Sequence, residues 1–70
     1  MKIEYDNEAD AIYIQIQEKK VSASTEIEDG VIIDFDDEKK VIGFEVLNAS
    51  KKFNLNDITT INIGLIPVAS

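Results

Sequence analysis

Apolar and polar residues alternate along most of residues 1–47, and this alternation restricts the fold more than any other feature of the sequence. A period of two places successive side chains on opposite faces of a β-strand. Turn-forming residues interrupt the pattern at residues 6–11, 17–20, 29–30 and 37–40. The alternation therefore predicts five short strands in these 47 residues, separated by those turns.

The loop lengths keep the apolar side chains on one face of a sheet if each strand pairs with the next one along the chain. The facing pairs predicted in this way are Tyr5 with Ile12, Ile3 with Ile14, Ile16 with Val21, Phe35 with Ile42, Ile33 with Phe44, and Val31 with Val46. The prediction is an antiparallel β-meander with one continuous apolar face.

The turn at Asp29 and Gly30 offers two loop lengths. A two-residue loop pairs Glu28 with Val31, which would exchange the faces of the sheet. A three-residue loop pairs Ile27 with Val31 and Thr25 with Ile33, and it keeps the apolar side chains together. We therefore expect the longer loop, with Gly30 at a positive φ that glycine adopts readily.

We predict an all-β fold in a single domain, residues 1–70, with the meander in residues 1–47. Exposure of a large apolar face to water is unfavourable, so either residues 48–70 or a second subunit should cover this face. In this C-terminal segment the pattern favours a helical turn near residues 49–53 and a strand near residues 60–66, and a short C-terminal helix would make the fold α+β. The residues expected at the buried centre are Ile14, Ile33, Phe35, Ile42 and Phe44.

The composition disfavours several classes of function. The chain has no His, Cys or Arg, so the usual general bases, thiol nucleophiles and thiolate metal ligands are missing. Its formal net charge of -7 opposes direct binding to nucleic-acid phosphates. The first residues lack the apolar stretch of a signal peptide, and no apolar run is long enough for a membrane span. We expect a cytoplasmic protein that is not an enzyme and uses no cofactor.

Carboxylates gather at two places in the sequence. One group is at the first turn and the other follows the fourth strand, and the candidate metal ligands among them are Asp6, Glu8, Asp10, Asp34 and Asp36. Oxygen ligands of this kind suit Ca²⁺ or Mg²⁺, but neither group has the spacing of a calcium-binding loop. Capped turns and solvated strand ends are the favoured interpretation.

Three stretches of the chain resemble a known family. The sequence YDNEADAIYI at residues 5–14, GVIID at residues 30–34 and VIGFEVLNAS at residues 41–50 are similar, in order and spacing, to domain of unknown function 2283 of bacteria and archaea. The turn at residues 37–40 lacks the Asp-Gly common in that family, and the segment after Lys52 falls outside the pattern. The resemblance implies a small sheet protein without assigned catalytic residues. Some members are encoded beside predicted ribonuclease-like toxins, which implies an antitoxin role.

Three functions remain open. The favoured one is a protein-interaction module, an acidic protein that binds a basic partner in the manner of an antitoxin. The second is a structural or accessory homo-oligomer, and a homodimer is expected when no partner is present. The third is a protein that binds a divalent metal through its carboxylate groups.

Overall fold

The computed structural model describes residues 1–54, 56–57, 60 and 63–65, and these residues form five strands and one short helix. The elements are β1 (Lys2–Asp6), β2 (Ala11–Gln15), β3 (Ala23–Glu28), β4 (Val31–Phe35), β5 (Val41–Leu47) and α1 (Ala49–Lys52). All strand pairs are antiparallel and lie in one sheet. The predicted all-β antiparallel sheet of five strands is confirmed, and the short C-terminal helix is present.

The strands do not all pair in sequence order. Their order in the sheet is β1-β2-β5-β4-β3, so β3, β4 and β5 form a meander to which the β1–β2 hairpin adds through β5. The predicted pairing of β2 with β3, with Ile16 opposite Val21, is wrong. The alternating side chains of β2 keep the apolar face continuous whether β2 pairs with β3 or with β5. The pattern therefore does not determine which of these strands β2 joins.

The connection between β2 and β3 crosses one end of the sheet. Residues 16–22 can reach about 23 Å when extended, whereas three strand spacings require about 14 Å. The amide hydrogens of Ile16 and Gln17 donate to the carbonyl oxygen of Ile42, at 2.8 and 3.2 Å. The Ser22 amide donates to the carbonyl oxygen of Phe35 at 2.8 Å. These bonds fix both ends of the crossing segment.

Most of the remaining registers are confirmed, namely Tyr5 with Ile12, Ile3 with Ile14, Thr25 with Ile33, Ile33 with Phe44, and Val31 with Val46. Two local pairings differ. Phe35 faces Val41 rather than Ile42, across a register shift after Asp34.

The second difference lies at the Gly30 turn. Glu28 faces Val31, and the register shifts between Glu26 and Glu28, so the predicted pairing of Ile27 with Val31 is wrong. The shift admits one additional residue on β3, which restores the faces beyond the turn. Gly30 has φ of 75°, as predicted for a left-handed position in this loop.

The register places uncharged side chains together on one face, here called the apolar face. One transverse row crosses all five strands and contains Ile3, Ile14, Phe44, Ile33 and Thr25. A second row crosses four strands and contains Tyr5, Ile12, Val46 and Val31. Directly opposed residues in a sheet share a face, so these two rows form one continuous apolar surface.

This apolar face is only partly covered. Among the described residues, the buried apolar ones are Ala11, Ile12, Ile42 and Ala49. Of the five residues expected at the buried centre, Ile42 is buried, whereas the other four are half-buried. In the described part of the C-terminal segment, Ile63 and Leu65 are 78% and 98% exposed. Residues 60 and 63–65 are not in a strand, and the rest of the strand predicted over residues 60–66 lies outside the described residues.

Gly30→Val is expected to lower the free energy of unfolding by more than about 1 kcal/mol, because a β-branched residue is strained at positive φ. A Cβ at this position would also lie 3.2 Å from the carbonyl oxygen of Leu47. Urea denaturation measures the change. Gly64→Val is the control, since no atom lies within 4 Å of a Cβ there. Equal stability of the two variants would contradict the assigned loop.

Candidate functional site

The face opposite the apolar face carries carboxylates, and we call it the outer face. Its central transverse row contains Glu4, Tyr13, Glu45, Ile32 and Glu26, one residue from each strand. Acidic and apolar side chains therefore alternate across the sheet. Because adjacent strands lie about 4.8 Å apart, successive carboxylates along this row are about 10 Å apart.

A second row on the outer face has a gap in its middle. It contains Lys2, Gln15, Gly43, Asp34 and Ser24. A Cβ on Gly43 would lie only 2.6 Å from the carbonyl oxygen of Ile14, so β2 and β5 approach too closely for any other residue.

A cavity of about 410 Å³ lies on this face beside Gly43. Its walls include Tyr13, Lys19, Asp34 and Glu45. An aromatic ring, a lysine and two carboxyl groups thus surround one concave surface. Such a surface can receive a polar or cationic group, because it offers hydrogen-bond acceptors beside an aromatic face.

Asp34 and Glu45 form a carboxyl pair at this cavity. They are diagonal neighbours on β4 and β5, and the hydroxyl of Ser24 donates to Asp34 Oδ1 at 2.7 Å. The hydrogen bond between the two carboxyl groups, together with desolvation and the charge of Asp34, raises the pKa of Glu45 to about 7. Glu45 therefore keeps its proton to a higher pH than an isolated glutamate does, since a nearby carboxylate opposes its ionisation.

The carboxylates at the first turn have structural partners. Asp6 Oδ1 accepts hydrogen bonds from the amides of Glu8 and Ala9, both at 3.0 Å. This arrangement is an Asx turn, which satisfies amides that no strand partner reaches. Glu8 is exposed on the same turn.

Asp10 joins the first turn to α1. Its carboxylate accepts hydrogen bonds from the Tyr5 hydroxyl at 2.7 Å, and from the amide and hydroxyl of Ser50 at 3.0 and 2.7 Å. The Tyr5 hydrogen bond is the largest of the effects that lower the pKa of Asp10, and the same bond raises the pKa of Tyr5. The Ala49 amide donates to the backbone carbonyl oxygen of Asp10 at 2.9 Å. These contacts fix the helix against the sheet end.

Asp36 organises the turn between β4 and β5. It is buried, and its Oδ1 accepts hydrogen bonds from the amides of Lys40 and Glu38, both at 2.9 Å. Lys19 Nζ lies 3.5 Å from its Oδ2. The Lys40 hydrogen bond is the largest of the effects that lower the pKa of Asp36.

The structure does not bring the candidate metal ligands together. Asp6, Asp10 and Asp36 each accept hydrogen bonds from backbone amides in a separate turn or helix end, and Asp34 pairs with Glu45. Within residues 1–54 and the shorter described stretches, no three His, Cys, Asp or Glu side chains are placed to hold a metal ion. The arrangement therefore gives the metal-binding hypothesis no geometric support.

The pairing of Asp34 with Glu45 on the outer face was not predicted from the sequence. The predicted register of β4 and β5 already places Asp34 opposite Gly43 and Ile32 opposite Glu45, which makes Asp34 and Glu45 diagonal neighbours. That signal was present in the sequence, but the polar positions were interpreted as solvated.

None of the helices in the described residues is long and apolar enough to cross a membrane.

The stability of the chain should depend on the proton of Glu45. Its folded pKa lies above the usual value of 4.5, so the folded chain holds a proton that the unfolded chain releases. The retained proton therefore stabilises the folded chain. Its contribution to the free energy of unfolding is complete below pH 4.5 and is lost as the pH rises to about 7. Glu45→Gln should abolish this decline in stability, because an amide does not titrate over this range. The amide can still donate a hydrogen bond to Asp34.

Urea denaturation at about pH 5 and about pH 8 measures this dependence. Glu26→Gln, an exposed acid of the same face, is the control and should keep the decline. A wild-type stability that does not fall over this range would contradict the raised pKa of Glu45.

Two proteins of archaea are similar to this chain. An uncharacterised protein of Methanocaldococcus jannaschii is 39% identical over 56 residues, which is 80% of this chain and 47% of that protein. A protein of Methanosarcina mazei, provisionally named as a hypoxanthine phosphoribosyltransferase, is 37% identical over 54 residues, 77% of this chain and 43% of that protein. The chain thus spans less than half the length of these relatives.

No solved structure matches the chain. The family model for a protein of unknown function, DUF2283, matches residues 2–50. This range contains the whole sheet, the first turn with its Asp10 hydrogen bonds, and the start of α1. The match covers well over half of the chain, and the chain therefore belongs to the DUF2283 family.

Proposed function

We propose that the protein is an interaction module whose outer face binds a basic protein, in the manner of an antitoxin that masks its toxin. The observation that supports this function is the central row of the outer face, where three carboxylates alternate with Tyr13 and Ile32. A basic partner can pair its cations with the carboxylates and pack apolar side chains between them.

Tyr13 is the natural anchor of such an interface. Its side chain is 39% exposed although it lies in the second of five strands, with Glu4 on one side and Glu45 on the other. Exposed tyrosines contribute much of the binding energy of many protein interfaces, because a rigid aromatic ring buries a large area at little entropic cost. A lysine or arginine above the ring would gain a cation–π contact and the carboxylate of Glu4, with the carboxyl group of Glu45 on the other side.

The charge of the chain favours the same partner. Residues 1–47 contain 13 acidic and 5 basic residues, a net charge of -8, whereas residues 48–70 have 1 acidic and 2 basic residues, a net charge of +1. A field of this sign accelerates encounters with cationic surfaces and repels nucleic acid. The proposal needs no catalytic residue and no cofactor, and it places the protein in the cytoplasm.

The provisional name of the Methanosarcina relative does not enter this proposal, because more than half of that protein lies outside the match. The accessory homo-oligomer stays the second candidate. It is favoured by the half-buried side chains of the apolar face, because a second copy could cover them.

The proposal is tested with the purified product of a gene adjacent to the native gene, chosen for a basic composition. Binding is measured by calorimetry at roughly 50 mM and roughly 300 mM salt, and the affinity should fall as salt screens the charges. Glu26→Lys should weaken binding by roughly tenfold or more, because it reverses one charge of the central row.

Glu8→Lys is the matched control, with the same change of charge at an exposed turn outside the row. It should weaken binding far less than Glu26→Lys. Equal effects of the two variants would show a general charge effect and would reject the outer face as the binding surface. Absence of binding to every basic neighbour would reject the antitoxin-like role.

A further inference from the structure

We infer that a second copy of the chain covers the apolar face, in a two-fold symmetric sandwich of two sheets that leaves both outer faces free. A basic partner and the second copy would then occupy opposite faces of the sheet, and would bind at the same time rather than compete. This inference concerns the face that the proposed function does not use, so either can fail without the other.

The apolar face has the character of half of a protein core. Its main row contains Ile14, Phe44 and Ile33 on three central strands, and each of these side chains is half-buried in the single chain. From β1 to β4 the two rows contain no charged residue, and on β3 Glu28 lies opposite Val31 at the edge of the second row. Monomeric proteins rarely expose a continuous apolar patch of this kind.

The exposed area of the chain is larger than a compact monomer of its size requires. A folded monomer of this mass is expected to expose about 4,400 Å². The chain exposes 5735 Å². The surplus is about 1,300 Å², whereas a stable protein interface buries about 800 Å² on each partner. The surplus belongs to the whole chain, and the half-buried side chains of the apolar face contribute part of it.

The described C-terminal residues do not supply the cover. Phe53, Ile63 and Leu65 are about half exposed or more, although they are the large apolar side chains of that segment within the described residues. These three side chains are not buried against the sheet and add apolar surface of their own. A second sheet is therefore the occupant with matching shape, since sheets pack face to face about 10 Å apart.

The distribution of charge permits self-association despite the net charge of -7. The strand carboxylates Glu4, Glu26, Asp34 and Glu45 lie on the outer face, as the register shows. In the sandwich these faces point away from each other, and two sheets and their side chains separate the charges. Repulsion across such a distance is largely screened at physiological salt. A basic partner, in contrast, finds only Glu28, at the β3 edge, beside the described rows of the apolar face.

Two neighbouring isoleucines provide a matched pair of variants. Ile33 lies on the apolar face and Ile32 on the outer face of the same strand, and both are half-buried. Light scattering on the full-length chain should give a dimer for the wild type and for Ile32→Lys. It should give a monomer for Ile33→Lys, because a lysine would be buried without a partner at the interface. Circular dichroism checks that each variant is folded.

Cysteine cross-linking gives a second measurement that does not depend on a disruptive substitution. The chain contains no Cys, so a single introduced thiol reacts alone. Ile33→Cys treated with a bismaleimide about 10 Å long should form a covalent dimer, since this length matches the sheet separation. Ile32→Cys should remain monomeric on a denaturing gel.

Three results would overturn the inference. The first is a wild-type chain that is monomeric at micromolar concentration, which would leave residues 53–70 as the cover. The second is a dimer that Ile33→Lys preserves and Ile32→Lys disrupts, which would assign the interface to the outer face. The third is equal cross-linking of Ile32→Cys and Ile33→Cys.

Discussion

The close approach of β2 and β5 is the contact on which the rest of the structure depends. It joins the β1–β2 hairpin to the β3–β4–β5 meander, and Gly43 permits it by leaving no Cβ against the carbonyl oxygen of Ile14. The same pairing places Tyr13 beside Glu45 on one face and Ile14 beside Phe44 on the other. Both candidate interaction surfaces are therefore completed by a single pair of strands.

A single layer of five strands then has two unlike faces. Most side chains of the apolar rows are half-buried, and few of the described apolar residues are buried. The Asp10 hydrogen bonds to Tyr5 and Ser50 fix one end of the layer, and Asp36 fixes the turn at the other end. The acids of the sequence thus divide into those that stabilise turns and those available to a partner on the outer face.

The sequence predicted the faces, the strands and the left-handed Gly30, because alternation and loop length determine which side chains lie together. It did not predict the partner of β2, since a strand with one apolar face can join any neighbour of the same pattern. The burial of Phe44 was overestimated because alternation identifies a face but does not show what covers it. The diagonal placement of Asp34 and Glu45 followed from the predicted register, whereas the raised pKa of Glu45 also depends on its side-chain hydrogen bond to Asp34 and on desolvation.

The two-sheet sandwich is tested most directly by isotope-filtered nuclear magnetic resonance on a mixture of labelled and unlabelled chains, which detects only contacts between two copies. We expect intermolecular nuclear Overhauser effects among the side chains of Ile14, Ile33 and Phe44, and none at Tyr13 or Ile32. If the signals of Ile14, Ile33 and Phe44 connect only to residues 53–70 of the same chain, the apolar face is covered from within and the sandwich does not form.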